Sequence, residues 1–378
     1  MKIRDIRAVG LRHATPEGGW SEELREDDCV HTLVAVRTDD GPTGFGSVYT
    51  NDALVRGALG VLEPLYHGEN ALEPERVSEK LRQHSFWMGR GGSIEHTISG
   101  IDIALWDILG KSTNQPVGRL IGGRYRERVK PYASLLMDDP APLTDHLLEL
   151  KSQGYRAYKM GWGPFGRESY ALDEAIVHAA RDAVGPDNLL MVDAGGSDAF
   201  WTNGYKWALR TSHMLAEYDV AWFEEPLQPD AIEEYRLLRR TSLVPISGGE
   251  VLTRRQAFKP WLESQALDIV QPDVTKVGGI TESRRIAWMA QDHGVRFIPH
   301  GWNTAVGLAA DLQLASAFPE TDLVEYLTGS PYVDHIVSGS WQLDEQGKLA
   351  IPETPGLGIE LDLDAVSRFS GGGDLLLQ

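Results

Sequence analysis

Seven residues able to carry acid–base or ligand chemistry recur along the chain: Lys159, Asp193, Glu224, Glu250, Asp273, His300 and Glu325, spaced 23 to 34 residues apart. Asp193, Glu224 and Glu250 are consecutive members of this series. Three hard oxygen donors suit Mg²⁺, which keeps its other positions for water and substrate. Taken singly, each acid could instead cap a following helix or face its N-terminal dipole. Three in series with nothing to neutralise them would repel strongly, and that favours a metal. Asp273 and His300 come next. A carboxylate beside an imidazole fixes its tautomer and raises its basicity, as a general base requires. His293, on a helical stretch, reads as structural. Lys159 opens the series within "GYRAYKMGWGPFG", without an acidic neighbour and with Gly161 two positions on.

Each of these residues closes a short apolar run: "YRAYK", "LLMVD", "VAWFE", "VPISGGE", "DIVQPD", "VRFIPH" and, around Glu325, "DLVEYL". The stretches between them have helical spacing. A parallel strand pair needs a crossover helix, and the intervals match such βα units. Continuous apolar runs fit strands covered on both faces. With one more strand at "VKPYASLL", the pattern predicts a (β/α) barrel over residues 126–335. Strand C-termini in that fold share one rim, where all seven polar residues would converge. On such a rim Lys159 is a buried charge rather than a solvated surface lysine. Residues 1–125 read differently. "CVHTLVAVRTDDGPTGFGSVYT" predicts two strands about a polar turn, and "SIEHTISGIDIALWDILGKSTN" a helix. This is an α+β unit, and residues 336–378 are expected to pack back on it.

Composition narrows the function. The 378 residues are 42% hydrophobic and 24% charged, as in a globular protein, and are long enough for two domains or a large barrel with an addition. A net charge of −19 excludes a basic surface for nucleic acid or anionic membrane. The single Cys29 leaves no intrachain disulfide and fits a reducing compartment. No apolar stretch approaches the length of a membrane span, and "MKIRDIRAVGLRH" lacks the apolar core of a signal peptide. A cytoplasmic protein is expected.

The chain resembles the enolase superfamily, in its mandelate racemase-like branch, over nearly its whole length. The likeness rests on "GIDIALWDILGK", "RLIGG", "VDAGG", "WFEEP", "GGE", "QPDVTKVGGIT", the strand-end His300, Glu325 and "PGLGIEL". It implies an α/β fold, a (β/α)₇β modified TIM barrel under an N-terminal α+β capping domain that the C-terminal segment completes. It implies Mg²⁺ on Asp193, Glu224 and Glu250, a His300–Asp273 dyad, and Glu325 hydrogen-bonding a substrate carboxylate. The shared first step is removal of the proton next to that carboxylate, giving an enediolate, a chemistry in which a Lys or His base works with Mg²⁺. The family pattern Lys-x-Lys is altered here. Lys159 matches the first lysine, which supports the substrate carboxylate, while Gly161 stands where the second base should be. Asp-x-Asn likewise becomes Asp193-Ala194-Gly195.

Racemisation needs groups on both faces of the carbon, and only one dyad is present. The reading is therefore a one-base dehydration of a sugar acid, an aldonate or aldarate, to a 2-keto-3-deoxy acid. A cycloisomerase of a sugar-acid lactone or anhydro acid competes, followed by a racemase or epimerase that would need Lys159 or Tyr158 to fill the gap. A non-catalytic carboxylate-binding barrel is a different class, disfavoured by an intact triad and dyad. A phosphate-binding barrel lacks the glycine spacing it would need in "HGWNTAVG" and "LTGSPY". Capping loops near residues 14–28 and 45–52 would read the far end of a small-molecule carboxylate. Trp20, Arg25, Tyr49 and Trp302 are the candidates, each of them also explicable as packing or surface. An inward Arg25 would favour a diacid through a bidentate contact, and an outward one an aldonate. A homo-oligomer is expected.

Overall fold

The computed structural model describes residues 1–17, 25–198 and 201–376. The N-terminal part is an antiparallel sheet, β1 (Ile3–Leu11), β2 (His31–Thr38) and β3 (Gly44–Val48), with β2 in the middle. Three helices follow: α1 (Asp52–Tyr66), α2 (Pro74–Ser85) and α3 (Gly92–Thr113). Helix α3 is buried on every side over "TISGIDIALWDI", because it lies between the sheet and the rest of the molecule. Its approach to β3 is close enough to dictate glycine. A Cβ on Gly46 would stand 1.9 Å from the Gly100 carbonyl oxygen, so neither backbone could sit where it does with a larger residue at Gly46.

After the short α4 (Val117–Leu120) the chain alternates without exception. Strands β4 (Arg128–Leu136), β5 (Ala157–Gly161), β6 (Leu189–Asp193), β7 (Phe223–Glu224), β8 (Ile246–Gly248), β9 (Ile269–Val270), β10 (Arg296–Phe297) and β11 (Leu323–Leu327) are separated by seven helices. These are α5 (Pro140–Ser152), α6 (Tyr170–Val184), α7 (Tyr205–Glu217), α8 (Ile232–Thr241), α9 (Arg254–Glu263), α10 (Gly279–Asp292) and α11 (Ala305–Ala317). All strand pairs from β4 through β10 are parallel, and β11 returns to pair parallel with β4. This is the (β/α)₇β barrel. Between β10 and β11 the links involve side chains, among them Thr321 Oγ1 donating to the Phe297 carbonyl at 2.9 Å and Arg296 pairing with Asp322.

The C-terminal stretch ties the two parts together. Strand β12 (Leu349–Ala350) pairs antiparallel with the start of β4. The Leu357 N–H donates to Asp107 on α3 (3.0 Å), the Arg12 N–H to the Phe369 carbonyl (2.7 Å), and Arg37 to the Leu376 carbonyl (2.8 Å). Helix α3 also grips α10: Trp106 donates to Thr281 Oγ1 (3.0 Å) and the Thr281 N–H to Asp102 (2.9 Å). The capping part is thereby fixed over one end of the barrel. Among the described residues no helix is long and apolar enough to cross a membrane.

Candidate active site

Residues two apart on a strand face the same way, and that period builds the site in layers. Tyr132, Ala157, Met191, Trp222, Ile269, Ile298 and Leu323 form a buried apolar cluster inside the barrel. Two residues further along the same segments stand Ser134, Lys159, Asp193, Glu224, Gln271, His300 and Glu325. A dry floor thus carries a polar ring, and the ring lies in a low-dielectric setting where its charges act strongly on one another.

One carboxylate oxygen from each of Asp193, Glu224 and Glu250 lies within 4.8 Å of the others. Asp193 and Glu224 are paired across β6 and β7, and Glu250 follows β8. Burial, then Glu224 and Glu250 against the opposing pull of Lys159, pushes the Asp193 carboxyl well above its ordinary range. That is the behaviour of anions gathered with too little positive charge, and an all-oxygen donor set of this size fits a hard divalent cation. Glu224 is held from behind: its Oε2 accepts from Trp222 Nε1 (2.9 Å) and Gln271 Nε2 (2.7 Å). Next to it Glu225, the second acid of "FEEP", is fully buried. Burial and the proximity of Glu250 push its carboxyl up to about 8.

His300 Nδ1 donates to Asp273 Oδ2 at 2.8 Å, and the two residues form an isolated parallel bridge beyond their strands. The other Asp273 oxygen accepts from the Thr275 N–H (2.7 Å) and hydroxyl (2.5 Å), and Lys276 Nζ stands 3.6 Å from Oδ2. These partners outweigh burial and hold Asp273 far below its ordinary range. An anion locked on Nδ1 leaves Nε2 as the working nitrogen. Nε2 lies 3.1 Å from Glu250 Oε2. Burial alone would lower the imidazole, but Glu250, Glu325 and the Asp273 hydrogen bond raise it to about 9.

Lys159 Nζ is fully enclosed among acids, 2.6 Å from Glu224, 3.0 Å from Glu325 and 3.7 Å from Asp193. Glu325 is buried behind the cavity wall. Its Oε2 accepts from the Gly301 N–H (2.7 Å) and Tyr132 hydroxyl (3.2 Å), and Lys159, with His300, brings it to about 2 against the effect of burial. Its other oxygen, Oε1, forms the ion pair with Lys159 at 3.0 Å and accepts no hydrogen bond among the described residues. Lys159 and Glu325 also lie in the middle of β5 and β11 rather than at their ends.

Gly161 pairs in register with Asp193. A Cβ built there would stand 3.0 Å from Asp193 Cβ and 3.1 Å from its Oδ2. A side chain at 161 would press on a triad carboxylate, and glycine there offers no base.

Tyr49, Lys159, Gly161, Trp162, Asp193, Glu250, His300 and Trp302 line one narrow cavity, together with Ser134, Leu135 and Leu136. Tyr49 and Trp302, two of the four candidates for reading the substrate, thus line the cavity. Tyr49 packs edge-on to the buried His31 (4.9 Å) with Lys276 over its ring, and the Trp302 carbonyl accepts from His31 Nε2 (3.0 Å). Arg25 stands elsewhere. It is exposed, its backbone N–H donates to Asp28, and it lines no cavity described here. Trp20 lies outside the described residues. Tyr132, Trp222, Gln271, Thr275 and Lys276 were not singled out from sequence. The period of two backwards from Glu224 and Asp273 points to Trp222 and Gln271; Tyr132 would follow from its pairing with Glu325, which only the fold reveals.

The model of the mandelate racemase / muconate lactonizing enzyme N-terminal domain matches residues 26–122, and that of the enolase C-terminal domain-like family matches residues 143–365. The D-galactarolactone cycloisomerase of Agrobacterium fabrum is 33% identical, covering 98% of this chain and 99% of its own. The D-xylonate dehydratase of Haloferax volcanii is 31% identical over 99% of this chain and 95% of its own. The crystal structure of the 3,6-anhydro-D-galactonate cycloisomerase from Zobellia galactanivorans superposes with a TM-score of 0.87 at 31% identity, over 98% of this chain and 99% of that one. The chain belongs to the enolase superfamily, in its mandelate racemase/muconate lactonizing enzyme branch.

Proposed function

We propose that this protein is a Mg²⁺-dependent sugar-acid dehydratase that forms a 2-keto-3-deoxy acid. The observation that carries the reading is the one-sided site: the His300–Asp273 dyad on one face, and on the other Gly161, where a Cβ already meets Asp193. Asp193, Glu224 and Glu250 would hold the cation. Bound there, Mg²⁺ supplies Lewis-acid stabilisation of the negative charge that develops when a proton leaves the carbon next to a carboxylate. The chain does the rest. With Glu250 engaged in the triad, His300 Nε2 loses its carboxylate partner and is free to take that proton. Lys159 offers its charge to the developing enediolate, and Glu325 holds Lys159 in place. The imidazolium then returns the proton to the β-hydroxyl as its C–O bond breaks. Water departs, and the remaining enol ketonises. One base serves both transfers on one face.

A cycloisomerase is the second reading, favoured by the two relatives of that name at 33% and 31% identity. It uses the same dyad without net loss of water. Dehydratases named for xylonate, rhamnonate, galactonate and arabinonate, at 31% identity, support the first. Screening sugar acids and their lactones with Mg²⁺ by mass decides between them. A product lighter by one water supports dehydration; an isomer of unchanged mass supports the alternative and overturns it.

A further inference from the structure

Beyond the first cavity lies a second, wider and more open, with which it shares Ser134, Leu135, Leu136 and Trp302. It opens between the ends of β4 and β11 and the capping segment at Glu17. A sugar acid whose carboxylate end is held at Lys159 and the triad has this space for its far end. The ionisable groups of the second cavity are Glu17, Asp138 and His146, all exposed. Among the described lining residues of both cavities, Lys159 is the sole lysine or arginine, and three carboxylates already surround it.

From this we infer that the substrate carries one carboxylate only, its far end being neutral: an aldonate, or a lactone of an aldarate, and not an open-chain diacid. This rests on the proposed sugar-acid chemistry. A far carboxylate would be best received by a bidentate arginine. Arg25, the arginine of the capping loop, is exposed and lines neither cavity. A second carboxylate would meet Glu17 and Asp138 with only the exposed His146 among the ionisable groups to offset them. A hydroxyl would meet groups that suit it: carboxylate acceptors at Glu17 and Asp138, and at the junction Trp302 Nε1, a buried donor with no partner.

The test uses pairs that share their stereocentres and differ only at C6: D-galactonate with galactarate, and D-gluconate with D-glucarate, adding galactaro-1,4-lactone. Affinities are measured by calorimetry with saturating Mg²⁺ at pH 7.5, and turnover by product mass. In each pair that binds, the monoacid should bind at least about tenfold more tightly, the scale set by a few like charges at a solvated site. The lactone should behave as a monoacid. Asp138→Lys and Glu17→Lys should each narrow the gap by strengthening diacid binding. A diacid that binds as tightly as its partner overturns the inference, as does failure of both members of every pair to bind. Monoacid binding without a dehydrated or isomerised product leaves the inference standing and refutes the enzymatic reading instead.

Discussion

Removing the charge at Lys159 tests how the polar ring is held together. Lys159→Met keeps the length of the side chain and takes away the cation that faces Glu224, Glu325 and Asp193 within 3.7 Å. All three acids are almost wholly buried. Losing one partner of a buried pair costs about 3–5 kcal/mol, because the remaining charge stays desolvated. Protonation of Asp193, which burial and Glu224 already favour, relieves part of this. In metal-free buffer the variant should therefore melt well below the wild type. Mg²⁺ reverses the comparison. Lys159 and a divalent cation compete for the same acids, so the cation should raise the melting temperature of Lys159→Met by more than that of the wild type. Activity should still fall by about 10²-fold or more, since the enediolate loses its charged neighbour. The assay is a pair of thermal melts, with chelator and with Mg²⁺, beside steady-state rates. Equal melting of the two proteins without metal, or a smaller Mg²⁺ effect in the variant, would refute this account of the ring.

Asp193→Asn, Glu224→Gln and Glu250→Gln should each abolish turnover with the circular dichroism spectrum unchanged, and chelator should silence the wild type until Mg²⁺ is restored; full activity in metal-free buffer would contradict the triad. Stability and metal binding should be linked to pH. Asp193 has a raised folded value and His300 one of about 9, so the stability each contributes is complete below its unfolded value and is lost as pH rises through its folded one. The metal-free protein should weaken from pH 6 to 9, the Mg²⁺-induced rise in melting temperature should grow over that range, and calorimetry in two buffers should show protons released on binding. A Mg²⁺ effect independent of pH would count against it. Gly161→Ala forces a Cβ against Asp193 and should cost about 1–3 kcal/mol and lower Mg²⁺ affinity; unchanged affinity would show that the contact relaxes harmlessly.

The barrel was legible because its buried parallel strands are short continuous apolar runs, each marked by a polar residue. The exact strand ends were not. Pro272 and Pro299 have no N–H for a ladder, and β9 and β10 each end two residues before one of them. Asp273 and His300, immediately after the prolines, are released from the sheet to bridge each other. Lys159 and Glu325 looked like strand ends because they are the charged residues of apolar runs, yet β5 and β11 each continue two residues further. The spacing of the apolar runs marked Lys159, Asp193, Glu224, Glu250, Asp273, His300 and Glu325 as a set, and the fold brings them together through contacts of 2.6 to 3.8 Å. What no spacing could reveal is direction: Glu325 reaches Lys159 and the Gly301 N–H, and Arg25 is exposed. Strand β1 was hidden by its charges, Arg4, Asp5 and Arg7, which break the apolar pattern of an edge strand.

The most direct test of one-sided proton transfer is turnover of an active sugar acid in D₂O, with NMR of both product and recovered substrate. The wild type should give a 2-keto-3-deoxy acid, and any deuterium in recovered substrate should sit at C2 with its configuration retained. His300→Asn should lose both exchange and product by about 10²-fold or more. Efficient formation of the C2 epimer, with deuterium delivered to both faces, would contradict the account and place a second base opposite His300.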